Sequence, residues 1–282
     1  MKTITTSSEL VDVQALLQKE NPTLILGFVP TMGALHDGHI KLIKTAKDYS
    51  DKVICSIFVN PTQFNNPSDL ERYPRTLESD KKLLEQNGCD YLFVPTVNEI
   101  YPNGVDVSYL IDFEGLDLIM EGEFRPGHFK GVAMVVERLF AMVNPDIAFF
   151  GRKDFQQVAI IKQMVRVRKL KLKIHVVETL RNQYGLALSS RNALLSEQEK
   201  NDALIVFKTL LMVREWSKTV TKTEILKLKL IDFFNSGKLK LEYLEIVDDL
   251  TLKPIDTIQK NCTCCIAAFC GNVRLIDNMS LS

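Results

Sequence analysis

No apolar run in this 282-residue sequence approaches the length needed to cross a bilayer. The stretch 1–13 is polar and lacks the apolar core of a secretory signal, which predicts a cytoplasmic protein. A surplus of either charge is also missing, since 35 Lys and Arg balance 35 Asp and Glu. A chain without a basic surplus is poorly suited to tracking a phosphate backbone, so nucleic acid is not an expected partner. Histidine is scarce, with four in all, and neither an HExxH pattern nor a complete nucleophilic triad occurs. That argues against a zinc site. No repeat at a solenoid period and no low-complexity linker interrupts the chain. Cysteine is less scarce, with six residues, which in a cytosolic chain of this size are expected to be reduced thiols rather than a disulfide framework. Three of them fall in Cys262-Thr263-Cys264-Cys265, where strand alternation puts Cys262 and Cys264 on one face and Cys265 on the other, in structural positions.

What is present is a core. Hydrophobic residues make up 46% of the sequence, enough for one large or two ordinary domains. Short apolar runs at 24–29, 53–59, 91–94, 147–150 and 174–177 read as buried strands. Helical patterns at 40–49, 77–86, 132–143 and 155–168 separate many of them. Strands that alternate with helices and are apolar throughout predict an α/β domain with a Rossmann-like parallel sheet covered on both faces. In such sheets ligands bind at the carboxyl ends of the strands. The pattern changes near residue 178. A polar stretch at 181–192 is followed by helical patterns at 197–218 and 222–235 and by strand candidates at 241–247, 264–269 and 273–276. The expected organisation is a first domain over 1–178 and a smaller α/β domain over 179–282, joined by a short hinge.

Five segments carry residues suited to chemistry. Pro30-Thr31-Met32-Gly33-Ala34-Leu35-His36-Asp37-Gly38-His39 follows the first predicted strand and opens a helix. Backbone N–H groups at such a start favour anions, and glycine lets the backbone come close to a phosphate. His36 and His39, three apart, can be aimed at one ligand and can stabilise charge on a transferring phosphoryl group. Two histidines at a turn are also an ordinary surface feature; the strand–turn–helix context favours the anion site. Phe58-Val59-Asn60-Pro61-Thr62-Gln63-Phe64 ends the second strand, and the amides of Asn60 and Gln63 each donate and accept. Taken alone, this segment reads more readily as a proline turn.

Gly122-Glu123-Phe124-Arg125-Pro126-Gly127-His128-Phe129-Lys130-Gly131 is a glycine-rich loop entering a helix, either an anion pocket or a structural loop with His128 at the helix start. Gly151-Arg152-Lys153-Asp154-Phe155-Gln156-Gln157 joins a strand end to a helix start. There Lys153 can meet a phosphate, and Asp154 can cap the helix or contact a metal. Gly185-Leu186-Ala187-Leu188-Ser189-Ser190-Arg191-Asn192 places two hydroxyls before an arginine, a compact phosphate clamp.

Together these segments resemble the pantothenate synthetase (pantoate–β-alanine ligase) family. PTMGALHDGH is similar to that family's version of the HIGH signature. FVNPTQF, YPRTLESD, FRPGHFKGV, FFGRKDFQQ, LSSRN and RLIDN follow in the family's order, from about residue 27 to 278. The resemblance implies a HIGH-motif nucleotidyltransferase fold with a smaller second domain that closes over ATP, and a homodimer. It implies condensation of pantoate with β-alanine, using ATP and Mg²⁺, to give pantothenate, AMP and diphosphate through a pantoyl adenylate. By motif, Met32, Gly33, Ala34, Leu35, His36, Asp37, Gly38 and His39 would line ATP. Gly151, Arg152, Lys153, Asp154, Leu180, Leu188, Ser189, Ser190 and Arg191 would also bind the nucleotide. His36, His39, Lys153, Ser189, Ser190 and Arg191 would act in catalysis. Gln63, Gln157, Asn60 and His128 would bind substrate, and Asp80 would be a Mg²⁺ ligand. Leu188, Arg152 and Asn182 depart from the family's usual Met, Glu or Gln, and Glu. An adenylyltransferase of the same superfamily, acting on another small substrate, is the competing reading.

Overall fold

The computed structural model describes residues 1–281. Its strands are β1 (Lys2–Ile4), β2 (Leu26–Thr31), β3 (Lys52–Ile57), β4 (Tyr91–Phe93), β5 (Ile147–Gly151), β6 (Lys173–Val177), β7 (Lys240–Asp248), β8 (Cys262–Cys270) and β9 (Val273–Ser280). The first six form one sheet in the order β1-β4-β3-β2-β5-β6, and every pairing is parallel. The last three form a separate antiparallel sheet, β7-β8-β9. The chain divides into two compact units. The first comprises Met1–Gly151 and Gln157–Val177; the second takes Arg152–Gln156 and everything from Glu178 onward.

The first unit is an α/β layer structure built as its apolar strands require. Val29, Val53, Cys55, Leu92 and Phe149 pack on one face of the sheet with Leu42, Ile43 and Ala46 of the helix Asp37–Tyr49 and with Leu84 of the helix Leu77–Gln86. Phe28, next to Val29 and so pointing the other way, meets Phe140 of the helix His128–Val143 edge-on, with ring centroids 6.3 Å apart. From β2 the chain winds outward through β3 to β4, then returns to place β5 on the opposite side of β2. The strand order therefore reverses between β2 and β5. The loops at the carboxyl ends of these two neighbours are where a doubly wound sheet receives its ligand.

The amino-terminal stretch, read as merely polar from sequence, contains two elements. β1 adds an edge strand beside β4, and Thr6 with Glu9 forms a capping box that starts the helix Ser7–Glu20. In the second unit, the helices Leu204–Trp216 and Thr223–Asn235 lay Val206, Leu210, Val213, Leu226, Leu230 and Phe234 on one side of the antiparallel sheet. They meet Leu244, Ile246, Cys264, Ile266 and Ala268 there. The single helix expected over 197–218 is two, Glu197–Asp202 and Leu204–Trp216. No helix among the described residues is long and apolar enough to cross a membrane.

Candidate active site

In the first unit the site grows from the end of β2. After Thr31 the backbone turns at Gly33 and Ala34, both in the left-handed region, with φ of +81° and +50°. The backbone angle of Gly33 favours glycine, and a Cβ there would crowd Ile57 at 3.0 Å and Asp80 at 3.2 Å. The turn delivers His36 to the N-cap of the helix Asp37–Tyr49, where its Nδ1 accepts the N–H of Gly38 at 3.1 Å. The Nδ1 of His39 accepts the N–H of His36 at 3.3 Å. Because each Nδ1 accepts a backbone hydrogen, each ring carries its proton on Nε2 and acts there as a donor. The two ring centroids are 4.1 Å apart. A reciprocal cap thus brings the rings of His36 and His39 together.

Asp80 holds this turn. Its two carboxylate oxygens accept the N–H groups of Ala34 and Leu35, each at 2.9 Å, and the hydroxyl of Thr76 at 3.1 and 3.2 Å. The residue is 2% exposed. The motif resemblance makes it a Mg²⁺ ligand; in the fold its two oxygens accept from backbone donors 45 and 46 residues away. No group of three His, Cys, Asp or Glu suited to a metal occurs among the described residues.

The second motif folds against the first. Nε2 of Gln63 lies 3.0 Å from Sδ of Met32, and Oε1 accepts from Nδ2 of Asn60 at 3.2 Å. Asn60 is 1% exposed and fully engaged. Its Nδ2 also donates to the carbonyl of Gly131 at 3.2 Å, while its Oδ1 accepts from Tyr101 Oη at 2.9 Å and Thr62 Oγ1 at 3.1 Å. The sequence reading gives Asn60 a substrate contact; its hydrogen bonds make it the bracket that orients Gln63. His128 is a second bracket. Its Nδ1 lies 2.8 Å from the carbonyl of Gln63 and donates to it, since a carbonyl can only accept. The helix His128–Val143 comes so close to this turn that a Cβ on Gly131 would sit 2.4 Å from the carbonyl oxygen of Thr62. Gln157, half-buried, lies in the first turn of the helix Phe155–Val167.

The second unit groups the other predicted residues. A short 3₁₀ turn, Arg152–Asp154, follows β5 directly. Lys153 Nζ contacts Asp154 Oδ1 at 3.2 Å, while the Arg152 guanidinium donates to Thr263 Oγ1 at 3.3 Å and approaches Glu178 at 3.7 Å. Leu188 N–H meets the carbonyl of Leu180 at 3.0 Å, so these two residues face each other across a hairpin. Asn182 shapes the hairpin by accepting the N–H groups of Tyr184 and Leu186, each at 3.0 Å. Ser189 then caps the 3₁₀ helix Ser190–Leu194 through the N–H of Arg191, which brings the two hydroxyls and the arginine onto one turn.

Three residues without an assigned role fasten this arrangement. Arg181 makes a bidentate ion pair with Asp277, and Asn278 donates to the carbonyls of Arg152 and Lys153. Burial pushes the Asp277 carboxyl upward, and the Arg181 guanidinium opposes that shift. The sequence signal for Asp277 and Asn278 is the RLIDN segment.

Comparison with known proteins matches this geometry to one family. The model of the family described as pantoate-beta-alanine ligase matches residues 2–280. The pantothenate synthetase of Bacteroides fragilis is 45% identical over 281 residues, covering 99% of this chain and 98% of the relative. That of Christiangramia forsetii is 45% identical over 273 residues, covering 96% of each. Among solved structures, the pantothenate synthetase of Thermus thermophilus superposes with a TM-score of 0.91 at 37% identity, over 100% of this chain and 99% of that one. The pantoate-beta-alanine ligase of Francisella tularensis, in complex with beta-gamma ATP and beta-alanine, gives 0.82 at 38% identity, over 100% and 98%.

Proposed function

The chain belongs to the pantoate–β-alanine ligase family, and we infer that it condenses pantoate with β-alanine in an ATP-dependent reaction that yields pantothenate, AMP and diphosphate. The observation that carries this reading is the link from Gln63 to Met32: one residue of the carboxylic-acid motif is hydrogen-bonded to the first residue of the nucleotide motif.

The chemistry follows from what the residues offer. In the first step a pantoate carboxylate oxygen attacks the α-phosphorus of ATP, and diphosphate leaves. A carboxylate is already nucleophilic, so this step needs in-line placement and neutralisation of phosphate charge rather than a strong base. The Nε2–H donors of His36 and His39, the ammonium of Lys153, and the Ser189, Ser190 and Arg191 turn are assigned to the phosphates. The loop Met32–His39 with Gly151, Arg152, Asp154, Leu180 and Leu188 completes the nucleotide contacts. Gln63 and Gln157 hold pantoate. A thioether is a weak acceptor, so a pantoate oxygen replaces Met32 Sδ as the partner of Gln63 Nε2, while Asn60 and His128 keep the amide aimed. In the second step the neutral amine of β-alanine attacks the carbonyl of the adenylate, AMP leaves with the bridging oxygen, and the nitrogen gives up one proton to solvent.

Mg²⁺ is proposed to arrive on the phosphates of ATP, where it shields their charge. That fits a chain whose buried Asp80 is spent on backbone donors, because Mg²⁺ is commonly held through substrate phosphates with only one or two carboxylates. The same reading makes the enzyme a cytoplasmic homodimer. A coupled assay for AMP tests it. AMP should form at a sustained rate only when ATP, pantoate and β-alanine are all present; sustained diphosphate release without AMP would point to an adenylyltransferase instead.

A further inference from the structure

Both phosphate-handling segments of the second unit are fastened to one dipeptide of β9. Nδ2 of Asn278 donates to the backbone carbonyls of Arg152 at 3.0 Å and Lys153 at 2.9 Å. The neighbouring Asp277 receives Arg181 through both terminal guanidinium nitrogens, with the Nη2 bond at 2.9 Å. Arg181 also donates to the carbonyls of Gly185 at 3.1 Å and Asn278 at 3.3 Å. Asp277 Oδ1 accepts the N–H of Asn278 at 2.8 Å. Arg181 stands at the base of the hairpin that leads straight into Ser189–Arg191. The turn carrying Lys153 and the turn carrying the two serines are therefore held from a single point.

Sheet stability does not call for this asparagine. It lies inside β9, opposite Cys265, at a buried position that an apolar residue would fill with less penalty. Its Oδ1 is buried and meets no donor among the described residues. An orphaned acceptor in a buried place calls for an explanation. The amide cannot rotate to relieve it, because rotation would turn Oδ1 onto two carbonyl oxygens. The side chain is kept in the one orientation that grips the Arg152–Lys153 turn.

We propose that Asn278 is a positioning residue for adenylation, setting the height of the Lys153 ammonium, while the Asp277–Arg181 pair fixes Asn278 and the Ser189–Arg191 turn to the same frame. The inference rests on the assignment of Lys153 to the phosphates of ATP. A double-mutant cycle on the single-turnover rate of pantoate-dependent diphosphate release tests it, using the full-length enzyme with Asn278→Ala, Lys153→Ala and the pair. A misplacement of about 1 Å can cost about 100-fold in rate, so Asn278→Ala should slow the step by about 10- to 100-fold, with the pantoate dependence moved by less than about twofold. In the Lys153→Ala background the same change should cost less than about threefold, because the group it positions is gone. Asn278→Ser, which keeps one hydroxyl donor, should fall between. If Lys153→Ala alone is as fast as wild type, the premise about Lys153 fails and the inference falls with it. If Lys153→Ala is slow but Asn278→Ala costs the same factor in both backgrounds, only the positioning role is overturned. Failure of both Asn278 variants to give a cooperatively melting protein would assign the residue to the sheet itself and also reject the proposal.

Discussion

Nε2 of Gln63 lies 3.0 Å from Sδ of Met32, so the amide of the second motif points at the loop of the first. Its direction is set from behind by Asn60 at Oε1 and by His128 at the backbone carbonyl. Replacing Gln63 with Ala should remove a donor from pantoate and leave ATP affinity within about twofold. A substrate group left without its partner in a buried site costs about 1–3 kcal/mol, equivalent to roughly 5- to 150-fold weaker pantoate binding. Calorimetric titration of each ligand checks this. Unchanged pantoate affinity would return Gln63 to the role of a turn residue.

Asp80 should behave as a clamp and not as a metal ligand. In Asp80→Ala the N–H groups of Ala34 and Leu35 lose their acceptor, at a cost of about 1–3 kcal/mol for each donor left unpaired. The denaturant midpoint should fall, and adenylation should slow because the His36–His39 cap follows that loop. The Mg²⁺ concentration giving half-maximal rate should stay within about twofold. A shift of about tenfold or more in that concentration, with stability intact, would make Asp80 a metal site after all.

The parts of this molecule that could be read from sequence are those whose cause is local. The apolar runs gave β2 to β6 within a few residues, because strands buried on both faces leave an unbroken apolar signature. β1 escaped notice because three residues with a single buried side chain, Ile4, leave almost no pattern. The apolar run ends at residue 29, yet the strand continues through Pro30 and pairs Thr31 with Ile57. The candidate catalytic motifs were legible for the same local reason: His36, His39, Ser189 and Arg191 sit in caps made by their own neighbours. The brackets were not. Asp80 acts 45 residues from Leu35, His128 acts 65 from Gln63, and Asn278 acts 125 from Lys153. Each looks like an ordinary polar residue until the fold supplies its partner, so the sequence shows no sign of the contacts that Asp80, Asn60, His128 and Asn278 make.

The cysteines should be inert. All six are buried and unpaired with one another. Burial pushes the Cys89 thiol up to about 12 and moves Cys55 and Cys264 the same way. At pH 8 a thiol with a pKa of about 12 is ionised in roughly one molecule in 10,000, and only the thiolate reacts. A disulfide reagent should therefore label less than about 0.2 thiols per native chain and all six in denaturant. Changing Cys262, Cys264 and Cys265 together to Ala should lower stability through lost packing while leaving the Mg²⁺ dependence of the rate unaltered. Fast labelling of the native enzyme, or stoichiometric zinc lost with that triple substitution, would refute the structural assignment.

The central claim is that adenylation of pantoate precedes and is separable from amide formation. It is tested most directly by isotope exchange between labelled diphosphate and ATP in the absence of β-alanine. Exchange should require pantoate and Mg²⁺, should proceed without β-alanine, and should fall by roughly 100- to 1000-fold in Lys153→Ala, as expected for loss of one group that stabilises transition-state charge. Exchange that appears only when β-alanine is added, or that persists when pantoate is omitted, would contradict the account.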